Sequence, residues 1–179
     1  MVTVRPARDA DAAAVLVLVA LLSEAEHGEP PRLDAATLAR DFLGPDPAGL
    51  LLVAEEAASG RLLGYATAHG TYESHHAERG CYVGDLFVRP EARRLGLGRA
   101  LMAGVAAAAR RRGAAHLWWT AQAGNQAAHA FYRRLGGRGE PVVAFACVTG
   151  DFHKLADEAE AAPPPAPGAG QGSGQGSGP

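Results

Sequence analysis

The stretch Asp85-Leu-Phe-Val-Arg-Pro-Glu-Ala-Arg-Arg-Leu-Gly-Leu-Gly-Arg-Ala-Leu-Met102 decides the reading of this chain of 179 residues. An apolar, β-prone run (Leu86, Phe87, Val88) ends at Pro90, an Arg-rich loop follows, and Gly96-Leu97-Gly98 opens a helix. Leu97, Leu101, Val105 and Ala108 recur on one face of that helix, and Gly113 stops it. The first N–H groups of a helix have no internal acceptor, and the helix dipole places about half a positive charge there. Gly96 and Gly98 lack a Cβ, so an anionic ligand can approach the main chain closely. Arg93, Arg94 and Arg99 add cationic, fork-shaped donors, and Leu95 and Leu97 complete the segment. A dinucleotide-binding fingerprint would need a third glycine where Leu101 stands, and a P-loop would need Gly-Lys-Ser/Thr, which is absent.

Working outward, Val2 to Arg5 reads as a first strand, and Asp9 or Asp11 caps a helix to about His27. Asp34 caps a second helix to about Leu43. Leu50 to Glu56 and Leu62 to Gly70 form a hairpin, residues 71–79 read as a loop, and Cys81 to Arg89 is the strand that leads into the glycine-opened helix. Ala115 to Ala121 is a further strand, Asn125 to Leu135 a helix halted by Gly136-Gly137, and Val142 to Val148 a last strand. A short helix over 151–159 follows. The order β-α-α-β-β-β-α-β-α-β predicts an α/β (α+β) domain over residues 1–160, built on one mixed sheet. Residues 161–179, rich in Pro, Gly, Ser and Gln, cannot bury enough apolar surface to offset the entropy of ordering and are expected to be a disordered tail.

Charge is distributed unevenly. Residues 1–88 carry 6 Arg and 13 acids, residues 89–138 carry 10 Arg against Glu91 alone, and the whole chain is −2. One local block is thus suited to an anion, while the absence of a helix-turn-helix, zinc finger or aromatic-basic interleaving argues against nucleic acid. The longest apolar run, Ala12 to Leu22, is too short to span a bilayer, and its acidic flank excludes a secretory signal. The expectation is therefore a cytoplasmic protein with no membrane partner. Cys81 and Cys147 match no metal spacing and read as isolated thiols. His75-His76 reads as a solvated loop pair rather than a metal site, and no metal is expected.

Arg93-x-x-Gly96-x-Gly98-Arg-Ala-Leu resembles the acyl-CoA signature of the GCN5-related N-acetyltransferase (GNAT) superfamily. Asn125-x-x-Ala128-x-x-Phe131-Tyr132-x-x-x-Gly136 is similar to a second motif of that family at the expected distance. Within the superfamily the likeness is greatest to diamine (spermidine/spermine-type) acetyltransferases. It rests on Arg5-Pro6-Ala7 with Asp9 and Asp11, the run Tyr82 to Val88, and Phe131-Tyr132-Arg133-Arg134. The resemblance implies a GNAT fold: a central mixed sheet of six or seven strands flanked by helices, with acetyl-CoA in a split between two parallel strands. Leu86, Phe87 and Val88 would offer main-chain groups to the pantetheine and the acetyl carbonyl, the segment Arg94 to Arg99 would hold the diphosphate with Arg93 also among the cofactor-binding residues, and Asn125 would cap its helix beside the pantetheine arm. Tyr132 would donate a proton to the departing thiolate.

An acceptor amine is ammonium at neutral pH and must lose a proton before it attacks. The diamine-type relatives carry Glu-Asp where this chain has Gly84-Asp85, so a base at the glutamate position has no counterpart here. Asp85 and Glu26 are the remaining matched carboxylates; Glu73, His75 and His76 are further candidates without motif support. Trp118 and Trp119 alternate on their strand, so one is expected in the core and the other beside the acceptor. The function implied is direct transfer of acetyl from acetyl-CoA to a primary amine of a small molecule, polyamine- or amino-acid-like, by a homodimer. Two other readings stand beside it: a protein or peptide amino-terminal acetyltransferase, and a non-catalytic acyl-CoA-binding regulatory module, which the Gly84 departure motivates.

Overall fold

The computed structural model describes residues 1–161, which form two compact units, Met1–Arg138 and the segment from Gly139 onward. Of the predicted tail 161–179, Ala161 is the last residue of a helix, and residues 162–179 lie outside the described residues.

In the first unit, strand β1 (Val2–Pro6) leads through a 3-10 turn (Asp9–Asp11) into α1 (Ala12–His27), which ends on left-handed Gly28. Arg5 bridges these parts, its guanidinium bonding Asp11 at 2.6 Å and Glu55 at 2.6 Å, and it holds both carboxyls below their ordinary range. Helix α2 (Ala35–Leu38) is capped by Asp34, whose side chain accepts from the Thr37 N–H at 2.7 Å, and it runs on as a π turn to Leu43. Then follow β2 (Leu50–Glu56), β3 (Leu62–Glu73), β4 (Glu78–Val88), α3 (Leu97–Arg111), β5 (Ala114–Trp118) and α4 (Gln126–Leu135). Residues 71–79, expected as a loop, are mostly strand: Thr71 and Tyr72 pair with Gly80 and Arg79, and the β3–β4 hairpin turns between Glu73 and Glu78. β-Branched and aromatic residues find a ladder there that periodicity alone did not reveal.

The sheet order is β1-β2-β3-β4-β5, antiparallel except for the parallel pair β4–β5. Alternation along each strand gives it two apolar faces. On one, Leu52, Ala66, Cys81 and Val83 pack against Leu101, Met102, Val105 and Ala109 of α3. On the other, Leu51, Val53, Tyr65 and Phe87 pack against Val15 and Leu18 of α1 and Leu38 of α2. Each fully buried side chain of this size contributes about 1.5–3 kcal/mol.

The strand count needs correction. The described sheet has five strands, not six or seven. The expected strand Val142 to Val148 forms no ladder, and Val142, Val143, Phe145 and Val148 are exposed. β-Propensity expresses how a side chain fits a pleated, half-buried surface; a segment with no such surface against it stays irregular. In the second unit, α5 (Thr149–Ala161) replaces the short helix read over 151–159. No helix among the described residues is long and apolar enough to cross a membrane.

Candidate active site

The parallel pair β4–β5 is joined only from Arg79–Ala114 to Tyr82–Trp118. Beyond that point β4 runs on to Val88, still paired with β3 through Gly64, while β5 has ended. The β4 edge from Val83 to Val88 that faces away from β3 is therefore left without a strand neighbour among the described residues. The predicted split lies here. Phe87 is buried toward α1, its ring centroid 6.4 Å from that of Tyr65, while Leu86 and Val88 pack toward α3. Side chains and backbone thus divide the work: the first fill the core, the second forms the edge.

After β4 the chain turns through Pro90–Ala92, and Arg93 Nε donates back to the Val88 carbonyl at 3.1 Å. Arg94 takes φ +65° and is exposed, as is Leu95. Gly96 is the N-cap of α3 at φ +81°, in the left-handed region where glycine is favoured. The Ala100 N–H is the first to bond back, to the Gly96 carbonyl at 3.0 Å, so Leu97, Gly98 and Arg99 present the first-turn N–H groups. Leu97 itself is buried. Gly98 is small for a reason absent from the sequence argument: a Cβ there would stand 3.1 Å from Cζ of Phe131 on α4. Arg99 is also drawn to α4, its Nη2 donating to the Arg134 carbonyl at 2.5 Å. Of the three arginines expected around a diphosphate, Arg93 and Arg99 therefore fasten the loop and helix to their neighbours. The remaining elements, an exposed Arg94 and a glycine-opened helix turn beside a bare strand edge, still fit an extended ligand with a diphosphate at one end.

Asn125 caps α4, its side chain accepting from the Ala128 N–H at 3.0 Å. Tyr132, on the same helix, is half-buried between Trp119 (ring centroids 5.0 Å) and Phe131 (5.2 Å). Burial, then the charge of Glu26, pushes its hydroxyl above the ordinary phenol range, so it holds its proton at neutral pH.

The two tryptophans part as alternation requires. Trp119 packs with the α3-side core. Trp118 is half-exposed and meets the Tyr82 ring edge-on at 4.6 Å; Tyr82 in turn lies 5.2 Å from His69 and bonds Thr120 at 3.0 Å.

On the α1 side of the sheet lies Asp85. Burial raises its carboxyl, and the hydroxyls of Thr67 and Tyr65 partly offset that. The Tyr65 hydroxyl is buried with no hydrogen-bond partner of normal geometry, and burial, then the charges of Asp85 and Glu26, drives it upward too. Glu26 lies one turn beyond Leu22, which packs on the α1-side core, so it extends the sheet-facing stripe of α1. Asp85, Glu26, Tyr65 and Tyr132 are thus electrostatically linked. Glu73 pairs instead with His76 in the hairpin turn and holds that imidazole's pKa up. Cys81 is buried and Cys147 exposed.

Sequence reasoning missed Tyr65, Thr67, His69 and Tyr82. The signal was present: Tyr65, Thr67 and His69 alternate with Ala66 and Ala68, which puts three polar side chains on one face of β3.

A family model described as the acetyltransferase (GNAT) family matches residues 17–137. Among solved structures, an integron cassette protein from the mobile metagenome of V. cholerae superimposes with a TM-score of 0.71 at 22% identity, covering 87% of this chain and 97% of its own. An aminoglycoside acetyltransferase from an uncultured soil metagenomic sample, in complex with sisomicin, gives 0.69 at 19% identity, over 83% and 96%. An aminoglycoside antibiotic 6'-N-acetyltransferase from Acinetobacter baumannii gives 0.68 at 21% identity, over 84% and 100%. No curated protein matches by sequence.

Proposed function

Since the chain belongs to the acetyltransferase (GNAT) family, we propose that it transfers acetyl from acetyl-CoA directly to a primary amine of a small, cationic acceptor in the cytoplasm. The observation that carries this reading is the parting of β4 from β5 above Tyr82–Trp118. On one side of the gap stands the glycine-opened turn of α3, and on the α1 face of the sheet stand Asp85, Tyr82 and Trp118.

Acetyl-CoA supplies an acetyl group activated as a thioester. The edge of β4 at Leu86 to Val88 would hold its pantetheine, and the Leu97, Gly98 and Arg99 N–H groups with Arg94 its diphosphate. Asp85 takes the proton that the acceptor ammonium must lose; its raised carboxyl makes it a stronger base than a solvent-exposed aspartate. Tyr132 Oη, protonated at neutral pH as phenols are and more firmly so for its burial, gives a proton to the leaving sulfur. Glu26 and the Trp118 and Tyr82 rings favour a cation at the acceptor end. Acceptors of this chemistry include polyamines, amino acids and the aminoglycosides bound by similarly folded proteins. We expect a homodimer, by likeness to the family.

The test is thiol release on mixing the protein with acetyl-CoA and a panel of spermidine, diamines, amino acids, sisomicin and short peptides. Turnover with a small amine supports the proposal, and turnover with peptides alone moves the function to amino-terminal acetylation. Tight CoA binding with no release for any amine would leave a binding module and overturn it.

A further inference from the structure

Ala66 pairs with Leu86 and Ala68 with Val83, so two residues of β4, Gly84 and Asp85, face the single residue Thr67 of β3. This is a bulge, and a bulge takes a backbone N–H out of the ladder. Here the Asp85 N–H donates to Thr67 Oγ1 at 2.9 Å, and the same hydroxyl bonds Asp85 Oδ2 at 3.1 Å. A threonine hydroxyl has one hydrogen. With the amide donating to its oxygen, that hydrogen is directed to the carboxylate. One side chain therefore satisfies the orphaned amide and fixes the rotation of the carboxylate on the same residue. Space for this exists because residue 84 has no side chain: a Cβ on Gly84 would stand 3.0 Å from Thr67 Oγ1.

We propose that Thr67 is the positioning residue for Asp85, and that glycine at 84 is the structural condition for it. The role rests on the reading of Asp85 as proton acceptor, and it gives the departure at Gly84 a purpose: a Cβ at 84 would crowd the hydroxyl at 3.0 Å and press it out of its two bonds. The titratable group that meets the Asp85 carboxyl is Tyr65 on β3; Glu26 on α1 bears in turn on Tyr65 and on Tyr132 of α4. Both tyrosines hold their protons at neutral pH, so the hydroxyls of Tyr65 and Thr67 meet the carboxylate as dipoles.

The experiment follows the Asp85 carboxyl by 13C NMR titration of the free protein, with no substrate present, in wild type, Thr67→Val, Thr67→Ser and Gly84→Ala. Losing a donor to the ionised form favours the neutral acid, so the midpoint moves to higher pH in Thr67→Val and Gly84→Ala and stays in place in Thr67→Ser. In parallel, kcat/KM for an amine that turns over falls about tenfold at pH 7 in Thr67→Val, and its acid limb shifts to higher pH. Thr67→Ala serves the same comparison should the valine variant not fold. An unmoved midpoint in a folded Thr67→Val or Thr67→Ala protein overturns the proposal. If the midpoint moves while Asp85→Asn retains full turnover, Thr67 still holds the carboxylate, and it is the proton-acceptor reading of Asp85 that falls.

Discussion

At the N-terminus of α3 the groups proposed to meet a ligand are main chain, whereas at the β4 bulge they are side chains brought together from two strands. The first region needs only a left-handed cap at Gly96 (φ +81°), a bare Gly98 and the helix they open, all within a few residues of sequence. The second needs Thr67 and Asp85, eighteen residues apart, in one particular misalignment of β3 against β4. Glycine serves both regions, but differently. At 96 it permits a backbone angle; at 84 and 98 it leaves room for a neighbour's side chain, the Thr67 hydroxyl and the Phe131 ring respectively. A region of main-chain groups tolerates side-chain changes that leave its glycines alone. A region of convergent side chains depends on each one.

The largest effect is expected of Gly98→Glu. The new side chain meets Phe131 and brings a negative charge to the mouth of the helix. Affinity for CoA, measured by calorimetric titration, is expected to fall about 100-fold or more. Unchanged affinity would mean that the α3 turn is not where the diphosphate lies. Next in size is Tyr132→Phe, which removes a proton donor but no packing surface. A fall in kcat of about 100-fold, with CoA affinity kept, is the expected result across the pH range; full turnover at all pH values would remove Tyr132 from the chemistry. The smallest effect is expected of Gly96→Ala. Alanine in the left-handed region costs about 1–2 kcal/mol, which thermal unfolding should show as a loss of about 2–8 °C. Should Gly96→Ala instead abolish CoA binding while Tm stays put, the glycine is serving close approach rather than backbone angle.

The carboxylate end adds a dependence on pH. Burial raises the Asp85 carboxyl, and the base must be ionised to act, so activity should climb with pH through a midpoint above the ordinary carboxylate range. The same shift favours the unfolded state once Asp85 ionises, since a raised folded-state carboxyl contributes stability only while protonated. Arg5 works in the opposite sense. Its two carboxylate partners, Asp11 and Glu55, are held low, so the stability they provide is present at neutral pH and lost as pH falls through their lowered values.

How much was legible beforehand follows the same division. Helix α3 with its glycine cap, α4 with Asn125 at its head, the β2–β3 hairpin and the separation of Trp118 from Trp119 were all readable, because periodicity, capping and alternation are local properties. Thr67 was not, because nothing local to β3 says which residue of β4 it will face. Nor was the use of Arg93 and Arg99, whose guanidiniums go to the carbonyls of Val88 and Arg134 rather than standing free toward a phosphate. Val142 to Val148 failed for the converse reason: its residues have strand character, and a strand also needs a neighbour.

The glycine-capped, anion-suited turn could be read from residues 93–99 alone, since backbone angle and helix dipole are local; the family and the parallel strand pair came through the resemblance of two short motifs. Folding alone fixes which polar groups meet on the α1 face of the sheet, which hydroxyl bonds the Asp85 amide and carboxylate, and what a Cβ at 84 or 98 would touch. Contacts across strands depend on register, and here one bulge changes which residue stands opposite which.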